Sequence, residues 1–227
     1  MNRRTPEGDG RAGYVPALGF DFLTPLYDPL LRALLREDAL KGRLVAQAGI
    51  LPGHAVLDVG CGTGTLAILA KRAHPDARIV GLDGDPKVLA IARRKIAAAK
   101  LDVELVEAMA FDPSLPAASF DRVLTSLVLH HLSREEKRRT LAAVARLLRP
   151  GGEFHIADFG PPRGRYARLV SRLVGRFHGE DRVSDNLEGR LPEILAEAGF
   201  REIAETGAAW TPFGTLAYLR ATAPLPQ

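Results

Sequence analysis

Three glycines at alternate positions, Gly60, Gly62 and Gly64, follow the apolar run Ala55–Val59 and precede a helical pattern that begins near Thr65. Such glycines let the backbone turn sharply and let a ligand lie against bare main chain, because no Cβ intervenes. A second apolar run, Arg78–Leu82, ends on Asp83, which Gly84 follows. A carboxylate at that strand tip can accept hydrogen bonds from both hydroxyls of a ribose. Strand, glycine turn, helix, strand and acid together form half of a doubly wound nucleotide fold. The spacing is not that of the dinucleotide fingerprint G-x-G-x-x-G/A, because the third glycine falls one place early. A nicotinamide or flavin enzyme is therefore the minor alternative.

The elements that must position these residues can be read from punctuation and periodicity. Tyr14–Gly49 reads as helical cover, with Leu30, Leu31, Leu34 and Leu35 on one face and Leu40, Leu44, Val45 and Ala48 on another. Pro52-Gly53 precedes the first strand. A helix over Thr65–Ala73 ends at His74-Pro75. The next runs over Pro86–Ala99, with Asp85 as N-cap and proline at its first position. Strands are expected at Asp102–Val106, Phe120–Ser126, Glu153–Phe159, Phe200–Glu205 and Gly214–Thr222. Ser133 and Glu136 form a capping box for a helix that stops at Arg149-Pro150-Gly151-Gly152. A last helix, Leu191–Ala198, stops at Gly199. The alternation implies a single α/β domain over residues 14–227, with a disordered tail at 1–13 and a cap insertion near 161–187.

Composition narrows the function classes. The chain has 227 residues, enough for one substantial core, and 46% of them are hydrophobic. One cysteine, Cys61, lies inside the glycine loop, so a disulfide framework and a multi-thiol metal site are excluded. It reads as a small residue packed beneath a ligand. Net charge is +4, from 31 basic and 27 acidic residues, and no run is long and apolar enough for a membrane span. The start, MNRRTPEGDGRAG, lacks the apolar segment of a secretory signal. A cytoplasmic location is expected.

The phrase Val56–Leu66, VLDVGCGTGTL, resembles the first motif of class I S-adenosylmethionine-dependent methyltransferases. Ser119–Val123, Leu129-His130-His131-Leu132 and Arg146–Gly152 are similar to the later phrases of the small-molecule members. Phe20 through Tyr27-Asp28 resembles the F-x₆-YD phrase of the ubiquinone/menaquinone-biosynthesis type. The resemblance covers nearly the whole chain. It implies a doubly wound, Rossmann-like seven-stranded sheet with its last strand antiparallel, an N-terminal helical cover and a helical cap after strand five. It implies S-adenosyl-L-methionine as cofactor, with Asp58 and the loop Gly60, Cys61, Gly62 and Gly64 facing its methionine part. Asp83 and Gly84 would meet the ribose. Phe20 and Tyr27 would lie over the cofactor, or else are core aromatics. One departure from the family stands out: the acid that usually bonds adenine is replaced by Met109. Methionine can pack on the adenine face while backbone near Ala110 bonds its edge, or Asp112 swings in.

Methyl transfer from a sulfonium is an in-line displacement, so the protein supplies alignment, desolvation and, where the acceptor needs it, a base. Ser126 and Leu127, just past strand four, should stand near the transferring methyl. The segment Thr125–Val128 lacks the Pro-Pro-aromatic phrase of amino methyltransferases acting on nucleic acid, so no nucleic-acid partner is expected. Only Asp158 is placed among strand ends four and five for a metal, so no metal is expected. His130 has two readings. It resembles the base of metal-free O-methyltransferases, and its imidazole type suits that role near neutral pH. Alternatively it starts the following helix and holds the loop. His155 reads as a packed strand residue, and His178 as a solvated one.

The segment Gly164–Gly179 places Tyr166, Leu169, Val170, Leu173, Val174 and Phe177 on one helical face, and Arg165, Arg168, Arg172 and Arg176 on the other. A lid whose apolar face covers the acceptor pocket is the favoured reading, with peripheral membrane contact as the second. Both imply a small, partly apolar acceptor. A nucleic-acid or protein methyltransferase, or a cofactor-binding protein without catalysis, are the rival functions.

Overall fold

The computed structural model describes residues 37–178 and 180–224, and within them the side chains outside 172–181. Phe20, Tyr27, the 1–13 tail and the side chains of Arg172, Leu173, Val174, Arg176, Phe177 and His178 lie outside that description, as does the helical cover before residue 37.

Helix α1 (Glu37–Gln47) leads to β1 (Ala55–Val59), the glycine loop, α2 (Thr65–Ala73), β2 (Arg78–Asp83) and α3 (Pro86–Ala99). Then follow β3 (Glu104–Glu107), β4 (Phe120–Ser126), a 3-10 turn (Leu129–His131), α4 (Arg134–Leu147) and β5 (Leu148–Phe159). The cap holds α5 (Arg165–His178) and α6 (Glu180–Leu187), after which come α7 (Leu191–Glu197), β6 (Arg201–Thr211) and β7 (Gly214–Thr222). The seven strands lie in the order β3-β2-β1-β4-β5-β7-β6. The first five are parallel, and β7 runs antiparallel between β5 and β6. Strand order reverses beside β1, so the carboxyl ends of β1 and β4 flank the crevice where ligands bind in such sheets.

Alternation along the strands sends side chains to two cores. Leu57, Val59, Val80 and Val123 face α4 and α7, meeting Leu141, Val144, Leu147, Ile194 and Leu195. Val56, Ile79 and Leu124 face the other way, onto Leu44, Val45 and Ala48 beside α1 and onto Leu66, Ala67 and Ala70 of α2. Local chemistry fixes the helix starts: Asp85 accepts from the Lys87 amide at 2.8 Å, and Ser133 and Glu136 form a complete capping box.

Several boundaries depart from expectation. β3 sits at Glu104–Glu107, set by pairing with β2 rather than by its own apolar run. β5 begins at Leu148, because Leu148 pairs with Phe120 before a bulge that absorbs the Pro-Gly-Gly stretch. β6 extends to Thr211, since its pairing with β7 continues to the turn at Gly214. The cap contains a second helix, α6, that periodicity did not announce. Polar ties hold α6 down: Asp185 bonds Arg134, the buried Lys137 Nζ donates to the Arg182 carbonyl at 2.5 Å, and Arg182 donates to the His131 carbonyl at 2.7 Å.

Candidate active site

The glycine loop is a left-handed turn at every expected position: φ is +69° at Gly60, +55° at Gly62 and +77° at Gly64. At Gly60 the need for glycine is also steric, because a Cβ there would lie 2.4 Å from Val128 Cγ2. That contact places the β1 loop directly against the segment leaving β4. The Gly60 and Cys61 amides donate to the Leu82 carbonyl at 2.8 and 2.9 Å. The loop is thereby stitched to β2.

Asp83 completes this stitching. Its Oδ2 accepts from the Gly62 amide at 2.9 Å and its Oδ1 from the Asp85 amide at 3.0 Å. The carboxylate therefore builds the loop it was expected to accompany, and each oxygen keeps a further lone pair for a hydroxyl donor. Cys61 is buried under the loop against Gly81. Burial pushes its thiol pKa up, with Asp58 and Asp83 adding to the effect. The thiol is a packing group.

Asp58 lies at the carboxyl end of β1 and is 2% exposed. Its Oδ2 has no hydrogen-bond partner, which is rare for a buried carboxylate. Burial raises its pKa to about 7; Lys41 and the Ala67 amide oppose the rise and Asp83 adds to it. A buried carboxylate short of a partner is matched to a cation arriving from outside the chain. Sequence reasoning placed Asp58 here but missed Lys41, which bonds Glu37 at 2.5 Å and comes from α1, remote in sequence.

Beyond Asp83, the Ala108 amide donates to the Asp83 carbonyl at 3.0 Å, drawing the end of β3 inward. Met109 packs onto Gly84, whose Cβ would stand 2.5 Å from Met109 Sδ. Met109 and Ala110 are half-buried at this edge, whereas Asp112 is exposed. The described arrangement thus brings Asp58, the glycine loop, Asp83, Gly84 and Met109 to one sheet end.

The exit from β4 forms the other wall. Leu127 holds φ at +59°, a costly conformation for a non-glycine residue, and its amide donates to the Ala157 carbonyl at 2.9 Å. Asp158 organises the turn that leaves this strand. Its Oδ2 accepts from the Val128 and Leu129 amides at 3.1 and 2.7 Å, and its Oδ1 from the Phe159 amide and His130 Nδ1, both at 2.7 Å. Burial works against its charge, but His130, the Phe159 amide and His131 hold its pKa below the ordinary carboxylate value. His130 is 3% exposed, with its ring edge-on to Phe159 and tilted against His131. Sequence reasoning saw Asp158 only as a possible metal ligand and missed its role as a hub, because its four partners come from two segments. Among the described residues no group of three or more His, Cys, Asp or Glu side chains is placed to hold a metal.

His155 is the packed strand residue expected. Gln47 meets one ring nitrogen and Glu153 the other, and burial, with Arg122 and Arg220, pushes its pKa down to about 4 against the pull of Glu153. A separate cleft of about 790 Å³ lies between α1, α2 and α3, lined by Asp38, Ile68, Leu69, Arg72 and Lys95, and contains neither Asp58, Asp83 nor the loop glycines.

Known proteins match the segments that build this site. The methyltransferase domain family matches residues 56–152, from β1 to the Gly-Gly turn inside β5. A demethylmenaquinone methyltransferase of Thermus thermophilus is 37% identical over 156 residues, covering 68% of this chain and 70% of the relative. Its counterpart in Deinococcus radiodurans is 34% identical over 174 residues, covering 75% and 71%. Among solved structures, the S-adenosylmethionine-dependent methyltransferase SibL superposes with a TM-score of 0.70 at 27% identity, over 91% of this chain and 60% of SibL.

Proposed function

We propose that this chain, which belongs to the S-adenosylmethionine-dependent methyltransferases and uses that cofactor, transfers the methyl to a small, partly apolar acceptor of the quinone class. The observation that carries the acceptor class is the identity to two demethylmenaquinone methyltransferases over about seven tenths of their length. The chain's own residues support it: the segment leaving β4 carries the half-buried Leu127 and Val128 and lacks the Pro-Pro-aromatic phrase that serves a nucleobase amine.

The site fits the cofactor. The unpartnered Asp58 Oδ2 matches an ammonium, the left-handed glycine loop matches a chain that must lie on bare backbone, and Met109 on Gly84 offers a thioether face for a base. When bound, S-adenosylmethionine supplies a methyl on a sulfonium, open to in-line displacement by the acceptor. The protein's share is alignment and the exclusion of water. Gly60, Cys61, Gly62 and Gly64 shape the loop, Asp83 and Gly84 take the ribose, and Met109 and Ala110 border the adenine. Ser126 and Leu127 line the acceptor side. Of the two readings of His130, its burial and its bond to Asp158 support the one in which it holds the loop.

Asp83→Asn tests the ribose assignment. The amide oxygen keeps one acceptor, while the other position becomes a donor facing either a backbone N–H or a hydroxyl. Affinity for S-adenosylmethionine should fall roughly tenfold, the worth of one charge-assisted hydrogen bond. Calorimetry giving unchanged affinity in the folded variant would remove Asp83 from the site.

The acceptor class is tested by turnover with methyl-labelled cofactor against a reduced demethylated naphthoquinone, with RNA and a protein extract in parallel and mass spectrometry of the product. Label on the quinone ring is the expected result. Label on RNA or protein alone would overturn the acceptor class, and cofactor binding with no transfer to any would overturn catalysis.

A further inference from the structure

Over residues 165–171, where the side chains of the cap helix α5 are described, the buried side is formed by Ala167, 1% exposed, and Ser171, 5% exposed, with Val170 half-buried beside them. Tyr166 and Leu169, which should face inward if the helix were a lid over a pocket, are 53% and 60% exposed. Small residues at the contact let this part of the helix lie close to the domain while Tyr166 and Leu169 turn outward.

Trp210 joins this outward face. It stands near the tip of the β6–β7 hairpin, is 65% exposed, and has its ring 5.8 Å from that of Tyr166. The Tyr166 hydroxyl donates to the Pro212 carbonyl at 3.4 Å, tying helix to hairpin. Of the five large hydrophobic side chains exposed among the described residues, three meet here, the others being Leu51 and Ile91. A soluble domain seldom leaves such a cluster bare without a partner.

The flanking charge says what the partner is. Arg165 and Arg168 are exposed and make no ion pair with an acid among the described residues. Arg163, also exposed, is bonded to Glu205. Arginine recurs at 172 and 176, continuing the helical spacing. Tryptophan and tyrosine favour the boundary between headgroups and acyl chains, and unpaired arginines beside them favour anionic headgroups.

We propose that the face formed by Tyr166, Leu169 and Trp210, with Arg165 and Arg168 at its rim, docks this protein on an anionic lipid surface. The docking proposed is peripheral, and no helix among the described residues is long and apolar enough to cross a membrane. The face stands at the carboxyl end of β5, and an apolar acceptor dissolved in the bilayer would reach the site from that side. The docking itself does not depend on the acceptor's identity.

The test uses the full chain with vesicles of phosphatidylcholine alone or mixed with phosphatidylglycerol. Trp210 is the only tryptophan, so its emission reports on this face directly. Sedimentation with the mixed vesicles, a blue shift on binding and weakening with added salt are expected. Arg165→Gln with Arg168→Gln should lower the affinity by about tenfold or more, at roughly the worth of two arginines near an anionic surface. Leu169→Ser should remove most of the binding, and all variants should keep their affinity for S-adenosylmethionine, which verifies the fold. Equal binding to neutral and mixed vesicles, no spectral shift, or a lipid-independent dimer that buries Trp210 would overturn the proposal. A quinone that is not methylated would leave the vesicle result intact, so the two failures are distinguishable.

Discussion

Asp58→Asn is expected to make the cofactor-free protein more stable at pH 8 and to weaken S-adenosylmethionine binding by about 10²-fold or more, the loss expected when one partner of a buried charge pair is removed. The carboxylate is 2% exposed, and burial, with Asp83 adding and Lys41 opposing, raises its pKa to about 7. The folded state therefore keeps a proton that the unfolded chain sheds near pH 4. Stability falls as pH rises from about 4 to 7, and the whole penalty is present above 7. A shift of about three units corresponds to roughly 4 kcal/mol, of which an asparagine amide with no better partners should recover about half. Urea unfolding should show the gain at pH 8 and its disappearance as pH falls toward 4. Wild-type affinity for the cationic cofactor should weaken from pH 7.5 to 5.5, since binding must displace the Asp58 proton, while the variant should bind weakly and without that pH dependence. A variant that binds like wild type would separate Asp58 from the site.

This unusual carboxylate was legible in the sequence as a residue and not as a state. Its position before Gly60 marks the strand end, yet only the fold reveals that Oδ2 lacks a partner. The same division runs through the molecule. β1, α2, α3, β4 and β7 coincide with the expected spans because glycine, proline and capping side chains bound them locally. The sequence reading ends β6 at Glu205, six residues short of its observed end. Its far half, Thr206–Thr211, is mostly small or polar and becomes strand through pairing with β7. Helix α6, with the sequence EDRVSDNL, has little apolar periodicity and is held by Arg134 and the buried Lys137. The apolar stripe of α5 was visible, but not which side of the helix would rest on the domain. Periodicity gives the relative angles of side chains around a helix; over residues 165–171 the small residues Ala167 and Ser171 make the contact.

Asp158→Ala should destabilise the domain by roughly 3–5 kcal/mol, the cost of removing one member of a buried charged network. Four donors converge on this carboxylate within 3.1 Å: the amides of Val128, Leu129 and Phe159 and the ring nitrogen of His130. Alanine leaves all four in a dry interior, and water that enters to satisfy them disturbs the turn from Leu127 to Leu132, which borders the acceptor in the proposed reading. His130→Gln removes a single partner from this network and should cost about 1–3 kcal/mol. If His130 holds the loop, that variant should lose stability and turnover together, and its pH profile should keep the wild-type shape. A fully stable His130→Gln protein with turnover down by about 10²–10⁴ would instead make His130 the base. Thermal unfolding and single-turnover transfer on the two variants give the answer jointly. Asp158 can act only through the groups it holds, so a fall in transfer larger for Asp158→Ala than for His130→Gln would place the function in the geometry of the turn rather than in the imidazole.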